Sequence, residues 1–91
     1  GSGKPRPMLR VRFFARVREA LGCEGLTLPV EEAGMTLAAL EAALEDRLPG
    51  ARAVLQDPHI RLALNQAFVE REALYLKAGD ELAFLPPVTG G

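Results

Sequence analysis

The C-terminal stretch of the sequence, AFLPPVTGG, holds the residues best suited to chemistry. Two prolines cannot continue a hydrogen-bonded strand, and they favour an extended exit from a domain. Two glycines lack Cβ atoms, so their backbone can pass through a narrow channel and present a terminal carboxylate. A six-residue arm reaches at most about 20 Å. We expect it to offer its terminus to a partner's active site, although a frayed end of small residues is the alternative. The arm consists of Pro86, Pro87, Val88, Thr89, Gly90 and Gly91.

Other reactive residue types are few, and their spacing predicts no independent active site. The single cysteine, Cys23, cannot form an internal disulfide. The single histidine, His59, follows a proline and is expected at the surface. The sequence has no phosphate-binding glycine loop of the Walker type and no paired metal ligands. We therefore expect no metal site, and no cofactor bound by this chain.

The charge balance argues against a nucleic-acid partner, and the apolar runs argue against a membrane. There are 11 basic and 12 acidic residues, a formal net charge of −1, whereas phosphate backbones attract basic faces. We interpret Arg10 and Arg12 as a solvated strand face. No apolar run approaches the roughly 18 residues of a membrane span, and no signal peptide is evident. A lone thiol favours the reducing cytoplasm as the setting.

The length of 91 residues indicates one domain. We expect residues 1–7, GSGKPRP, to be a disordered arm or a remnant of cloning, with Met8 as a plausible start. Residues 8–85 would form the domain, and residues 86–91 would form the flexible tail.

Apolar periodicity predicts a strand at each end of the domain. Alternation in LRVRFF and in DELAFL indicates two strands with one buried side. A short helix after the first strand is expected to end at Gly22, and GLTLPV predicts a further strand. Ile60 to Glu70 indicates a hairpin that turns at Asn65-Gln66.

One long amphipathic helix lies between these strands. Thr36 is a suitable N-cap, and leucines at helical spacing indicate a buried stripe. We expect Glu41, Glu45 and Asp46 to lie mainly off that stripe. The stripe consists of Leu37, Leu40, Leu44 and Leu48.

The element order predicts an α+β fold of the β-grasp type, a mixed sheet of about five strands with one main helix packed across it. The first and last strands then lie side by side. Phe14, Phe68 and Leu85 fall on the outer face of this sheet, where we expect one exposed apolar patch that binds a partner. Alternatively, the strand ends curl and these residues close the edge of the core.

Three segments carry a family resemblance: VRFFARVREALG near the start, LALNQAFV in the middle and GDELAFLPPVTGG at the end. Together, and in this spacing, they resemble the small, sulfur-carrying subunit of molybdopterin synthase, among the ubiquitin-like β-grasp proteins. The resemblance covers residues 8–91. Leu85 stands where that family often has another aromatic residue, which keeps the patch apolar.

The resemblance implies that the chain is a substrate arm rather than an enzyme by itself. A partner enzyme that uses ATP would adenylate Gly91, and sulfur would then replace the nucleotide to give a thiocarboxylate. The tail would enter the large synthase subunit and pass its sulfur to a cyclic pyranopterin phosphate. The complex would contain two small and two large subunits. Arg18 matches the family's short-helix motif and could reach a partner carboxylate, or it could be a solvated surface residue.

Three other functions are compatible with the sequence. The sulfur carrier of thiamine thiazole synthesis shares the fold and the diglycine, but it is usually shorter and lacks the FFA…RE opening and the double proline. A ubiquitin-like modifier would join Gly91 to lysines of other proteins. A plain interaction domain would not need a free terminus.

Overall fold

The computed structural model describes residues 7–87, which fold into a five-stranded sheet, a second sheet of two short strands, and helices. In chain order the elements are β1 (Met8–Phe13), α1 (Ala15–Leu21), β2 (Gly25–Pro29), β3 (Met35–Thr36), α2 (Leu37–Arg47), α3 (Ala51–Leu55), β4 (Arg61–Leu64), β5 (Ala67–Val69), a 3₁₀ helix (Arg71–Ala73), β6 (Tyr75–Leu76) and β7 (Glu81–Leu85).

The main sheet has the order β2-β1-β7-β4-β5 and is mixed. The first and last strands, β1 and β7, are parallel neighbours, and the other pairs are antiparallel. The predicted α+β architecture with its adjacent terminal strands is therefore confirmed. The small β3-β6 sheet was not predicted, because strands of two residues are too short to show a period.

Apolar side chains alternate along β1 and β7, and this alternation gives the sheet one buried face. Leu9, Val11 and Phe13 of β1 and Leu82 and Phe84 of β7 are almost completely buried. The rings of Phe13 and Phe84 have their centroids 5.8 Å apart, within the range in which aromatic pairs attract. Burial of this face is the main source of fold stability.

The long helix α2 begins where the sequence predicted. Thr36 Oγ1 accepts a hydrogen bond from the Ala39 backbone N–H at 3.1 Å, which satisfies one unpaired donor of the first turn. Leu37, Leu40 and Leu44 are buried against the sheet, and Leu48 is half-buried just after the helix.

The expectation that Glu41 lies mainly off the leucine stripe was wrong. Glu41 is only 6% exposed, because it stands four residues after Leu37 and three before Leu44, on the same helix face. Its Oε2 accepts a hydrogen bond from Arg71 Nη1 at 3.1 Å. A second nitrogen of Arg71, Nη2, donates to the Leu55 carbonyl at 2.6 Å, so this guanidinium joins α2, α3 and the 3₁₀ helix.

Both predicted turns are present. Gly22 follows α1 in the left-handed conformation, at φ 66°, and donates its backbone N–H to the Arg18 carbonyl at 2.8 Å. Asn65 and Gln66 join β4 to β5 with φ values of 51° and 71°, a conformation that fits tight hairpins. Asn65 Oδ1 also accepts the Glu81 backbone N–H at 3.0 Å, which fixes the hairpin to β7.

None of the helices between residues 7 and 87 combines the length and the apolar character needed to cross a bilayer.

Candidate functional site

The tail leaves the domain from the middle of the main sheet. Pro86 directly follows β7, whose neighbours are β1 and β4. The Phe14 backbone N–H donates to the Phe84 carbonyl at 3.1 Å, and Pro86 has no N–H with which to extend the ladder. Pro86 is half-buried and Pro87 is exposed. The central strand β7 therefore continues directly into the tail, at the end of the sheet where β1 is followed by α1.

The three predicted patch residues lie together on the outer face of the sheet. Phe14, Phe68 and Leu85 line one depression of about 290 Å³. Phe68 is 59% exposed, whereas Phe14 and Leu85 are half-buried. We call these three side chains the outer patch. It is a shallow apolar recess, and Leu85 places it immediately before the tail.

Two arginines cover part of the aromatic surface of the outer patch. The Cζ atom of Arg12 lies 5.2 Å from the centroid of the Phe14 ring, and that of Arg61 lies 4.6 Å from the centroid of Phe68. Guanidinium groups stack on aromatic rings while their polar edges stay in water. Arg12 Nη1 is also 3.9 Å from Glu81 Oε2. The patch therefore has a charged rim.

Sequence reasoning missed these stacking contacts. Arg12 was interpreted only as a solvated residue, although its position two before Phe14 places both on one face of a strand. Arg61 reaches Phe68 diagonally, since the residue paired with Phe68 is Ala63. A diagonal contact of this kind can be found only once the register of β4 and β5 is known.

A second recess, the tail-root cleft, lies between α1, α3 and the first tail residues. It has a volume of about 390 Å³, and its lining includes Arg16, Val17, Val54, His59, Pro86 and Pro87. The Asp57 carboxylate accepts the His59 backbone N–H at 2.9 Å, and this bond holds the pKa of Asp57 below its usual range. His59 itself is exposed, as predicted.

Arg16, and not Arg18, lines the tail-root cleft. Arg18 is exposed on α1, and it is absent from the lining of the tail-root cleft within residues 7–87. Its predicted contact with a partner carboxylate stays a prediction. Val88, Thr89, Gly90 and Gly91 lie outside the described residues, so their roles stay predictions too.

The fold and its strand order define a ubiquitin-like β-grasp protein. The sequence profile of the ThiS family matches residues 11–91, and the chain belongs to that family.

Similar proteins carry more specific names. The chain is 37% identical over 84 residues to the molybdopterin synthase sulfur carrier subunit of Haemophilus influenzae, a match that covers 92% of this chain and 100% of that protein. It is 27% identical to small archaeal modifier protein 1 from Methanosarcina acetivorans, with a TM-score of 0.69 over 97% of this chain and 100% of the other. It is 28% identical to a chain in the Helicobacter pylori complex of subunits 1 and 2 of molybdopterin-converting factor, with a TM-score of 0.60 over 92% of this chain and 99% of that one.

Proposed function

We propose that this chain is the sulfur carrier subunit of a molybdopterin synthase, and that Gly91 is its reactive residue. The observation that carries the proposal is the joining of three features in the central strand: a buried inner face, the outer patch and the root of the tail. One strand thus anchors the domain, contributes Leu85 to a surface for a partner, and leads to Gly91. The similarity to named sulfur carrier subunits supports the same function.

The chemistry requires activation because a carboxylate is a poor acyl donor. A partner enzyme joins the Gly91 carboxylate to AMP, with loss of pyrophosphate from ATP. Sulfide from the sulfur source then attacks the carbonyl carbon and AMP leaves, which yields a thiocarboxylate. In the large subunit this sulfur is transferred to cyclic pyranopterin monophosphate, and two such transfers complete the dithiolene. The chain itself contributes the acyl group and its positioning.

The tail and the outer patch have separate tasks in this proposal. The outer patch and its arginine rim bind the large subunit. Aromatic and arginine side chains are the residues that most often dominate the binding energy of protein interfaces. Pro86 and Pro87 then direct the tail into that subunit's active site. The Helicobacter pylori complex of subunits 1 and 2 supports a partner subunit, and we propose that this partner is the large subunit and that the two form a heterotetramer in the cytoplasm. ATP is bound by the activating enzyme.

Intact mass spectrometry tests the proposal. The full chain is incubated with its activating enzyme, ATP and a sulfur source, and the C-terminal peptide is sequenced by fragmentation. The expected product is heavier by one exchange of oxygen for sulfur at Gly91. Adding the large subunit and the pterin substrate should return the original mass. A terminal peptide that is adenylated but never acquires sulfur would overturn the proposal.

The likeness to small archaeal modifier protein 1 favours a second candidate, a protein modifier. In that case Gly91 would form isopeptide bonds with lysines of other proteins. Lysine-linked remnants of the C-terminal peptide in cell digests would support this function, and sulfur at the free terminus would support the carrier. The third possibility is thiamine thiazole synthesis. The identity of the large partner that co-purifies with the chain distinguishes it from molybdopterin synthesis.

A further inference from the structure

The outer face of the main sheet is low in its centre, because the two central positions are alanines. One row of paired residues crosses β1, β7, β4 and β5, and in that order it consists of Arg12, Ala83, Ala63 and Phe68. Neighbouring strands are spaced by about 4.8 Å, so the Cα atoms of Arg12 and Phe68 lie about 14 Å apart. Only two methyl groups fill the interval between their side chains.

Larger side chains surround the alanine pair. Leu85 pairs with Arg61 in the next row toward the tail, and Gln66 and Glu81 complete the lining at the opposite end. We call the depression above the alanine pair the alanine socket. A recess with an apolar floor favours the entry of an apolar side chain, and binding anchors typically fill central pockets of this kind.

Positive charge exceeds negative charge around the alanine socket. The charged residues that point outward from the five strands are three arginines and one glutamate, an excess of two positive charges, whereas the whole chain has a formal net charge of −1. They are Arg10, Arg12, Arg61 and Glu81. Glu81 Oε2 is shared, since it lies 4.0 Å from Arg10 Nη2 and 3.9 Å from Arg12 Nη1. A partner of complementary potential presents carboxylates to this face.

Arg61 is the arginine best prepared to bind such a carboxylate. Its guanidinium stacks on the Phe68 ring with Cζ 4.6 Å from the centroid, which leaves the N–H edge free for a bidentate contact. Glu70 and Glu72 line a neighbouring recess together with Arg61. No carboxylate oxygen of residues 7–87, however, lies within 4.0 Å of the Arg61 guanidinium nitrogens. In that part of the chain the stack therefore holds a cation that forms no ion pair.

We propose that the alanine socket receives one apolar side chain of the large subunit, and that carboxylates next to this side chain pair with Arg12 and Arg61. The inference rests on the proposed function, in which the outer patch binds that subunit, and it names the chemistry of the partner surface. Ala63 and Ala83 are then specificity-determining residues, since larger side chains at these positions would occupy the space that the anchor needs.

Filling the alanine socket tests the first part of the inference. Ala83→Val and Ala63→Val add methyl groups to the floor without adding charge, and both should stay folded because valine suits strands. Calorimetric titration with the large subunit should show binding weakened about tenfold in each variant. Ala67→Val, at an exposed position of β5 outside the socket, is the matched control and should bind normally. Unaltered affinity in both socket variants would overturn the inference.

Cross-linking tests the second part. Arg61→Lys replaces the guanidinium with an amine, and a water-soluble carbodiimide couples an amine to a carboxylate in contact with it. Peptide mass spectrometry of the treated complex should find position 61 joined to an aspartate or glutamate of the large subunit. Arg47→Lys, at the exposed end of α2, is the control and should give no more cross-linked product than the unsubstituted chain. Equal yields from the two variants would contradict the proposed pairing of Arg61.

Three further outcomes separate this inference from the proposed function. If sedimentation shows the isolated chain to be a dimer that Ala83→Val dissociates, a second copy is the occupant of the alanine socket and the inference fails. It also fails if the unsubstituted chain does not bind the large subunit. If the chain binds as expected but Gly91 never acquires sulfur, the proposed function fails and the socket stands.

Discussion

The two faces of the β1–β7 pair have the same backbone and opposite tasks. On the inner face, Phe13, Leu82 and Phe84 are fully buried. On the outer face, Phe14 and Leu85 are half-buried and have an arginine rim. Because successive side chains of a strand point to opposite faces, a substitution of Phe84 alters the inner face, and a substitution of Leu85 alters the outer face. Stability and partner binding should therefore respond to different substitutions.

Removal of Gly91 should have the largest effect on function and the smallest on folding. Sulfur transfer in the reconstituted synthase should be abolished, because no carbonyl reaches the position where sulfur is added. The thermal melting curve should barely change, since both sheet faces keep their contacts. Addition of one residue after Gly91 is the matched control, and it should abolish transfer in the same way. A large loss of stability would show that the tail is part of the fold.

Phe84→Ala should break the inner face. The ring is fully buried against Phe13, and large-to-small changes of buried phenylalanine cost about 3–5 kcal/mol. Urea unfolding followed by circular dichroism measures the free energy of unfolding. A cost below about 1 kcal/mol would mean that the core repacks freely and that the two faces are not so different.

Charged residues allow the same comparison, because one ion pair, Glu41–Arg71, lies on the inner side of the sheet and another, Arg12–Glu81, lies on the outer face. Arg71→Leu should cost about 3 kcal/mol, since it leaves the buried Glu41 carboxylate without its charged partner and with only the hydrogen bond from Gln56 Nε2 at 3.4 Å. The double variant with Glu41→Leu should regain most of that loss. Arg12→Leu, which removes the exposed contact with Glu81, should cost less than about 1 kcal/mol. Equal costs in urea unfolding for the buried and exposed pairs would contradict this contrast.

Leu85→Asp tests the outer face. A carboxylate in the outer patch should weaken binding to the large subunit about 30-fold, as expected for an anchor worth roughly 2 kcal/mol, while the isolated chain stays folded. Thr27→Asp on the exposed side of β2 is the matched control and should bind normally. Calorimetric titration provides both affinities. Unaltered affinity for Leu85→Asp would remove the outer patch from the proposed interface.

Much of this contrast between faces could be predicted from the sequence because long elements show their period. The alternation in β1 and β7 and the stripe on α2 predicted the sheet, its inner face and the side on which Phe14, Phe68 and Leu85 lie. Helical spacing from Leu37 and Leu44 was enough to place Glu41 on the buried face, whereas its partner Arg71, 30 residues away in sequence, could not be predicted. A helix of seven residues likewise gave no sign that Arg16 rather than Arg18 lines the tail-root cleft.

The smallest expected effect concerns Glu45, in the helical layer behind the inner face. Its carboxylate accepts the backbone N–H groups of Gly50 and Arg52, both at 2.9 Å, and thereby caps the start of α3. These hydrogen bonds, first that from Gly50 and then that from Arg52, lower the pKa of Glu45. A carboxyl group whose pKa is lower in the folded state stabilises the protein above its unfolded-state pKa, about 4.3 for glutamate.

This contribution should be lost as the pH falls through the lowered pKa of Glu45. Urea unfolding between about pH 7 and pH 3 should show a smaller acid-induced loss of stability for Glu45→Gln than for the unsubstituted chain. Asp46→Asn changes the next carboxylate, which is exposed, and is the control for the loss of one negative charge from α2. The Asp57 carboxylate, whose pKa is also lowered, contributes equally to all three proteins and cancels in the comparison. Identical slopes for Glu45→Gln and the unsubstituted chain would show that the cap on α3 does not depend on the charge of Glu45.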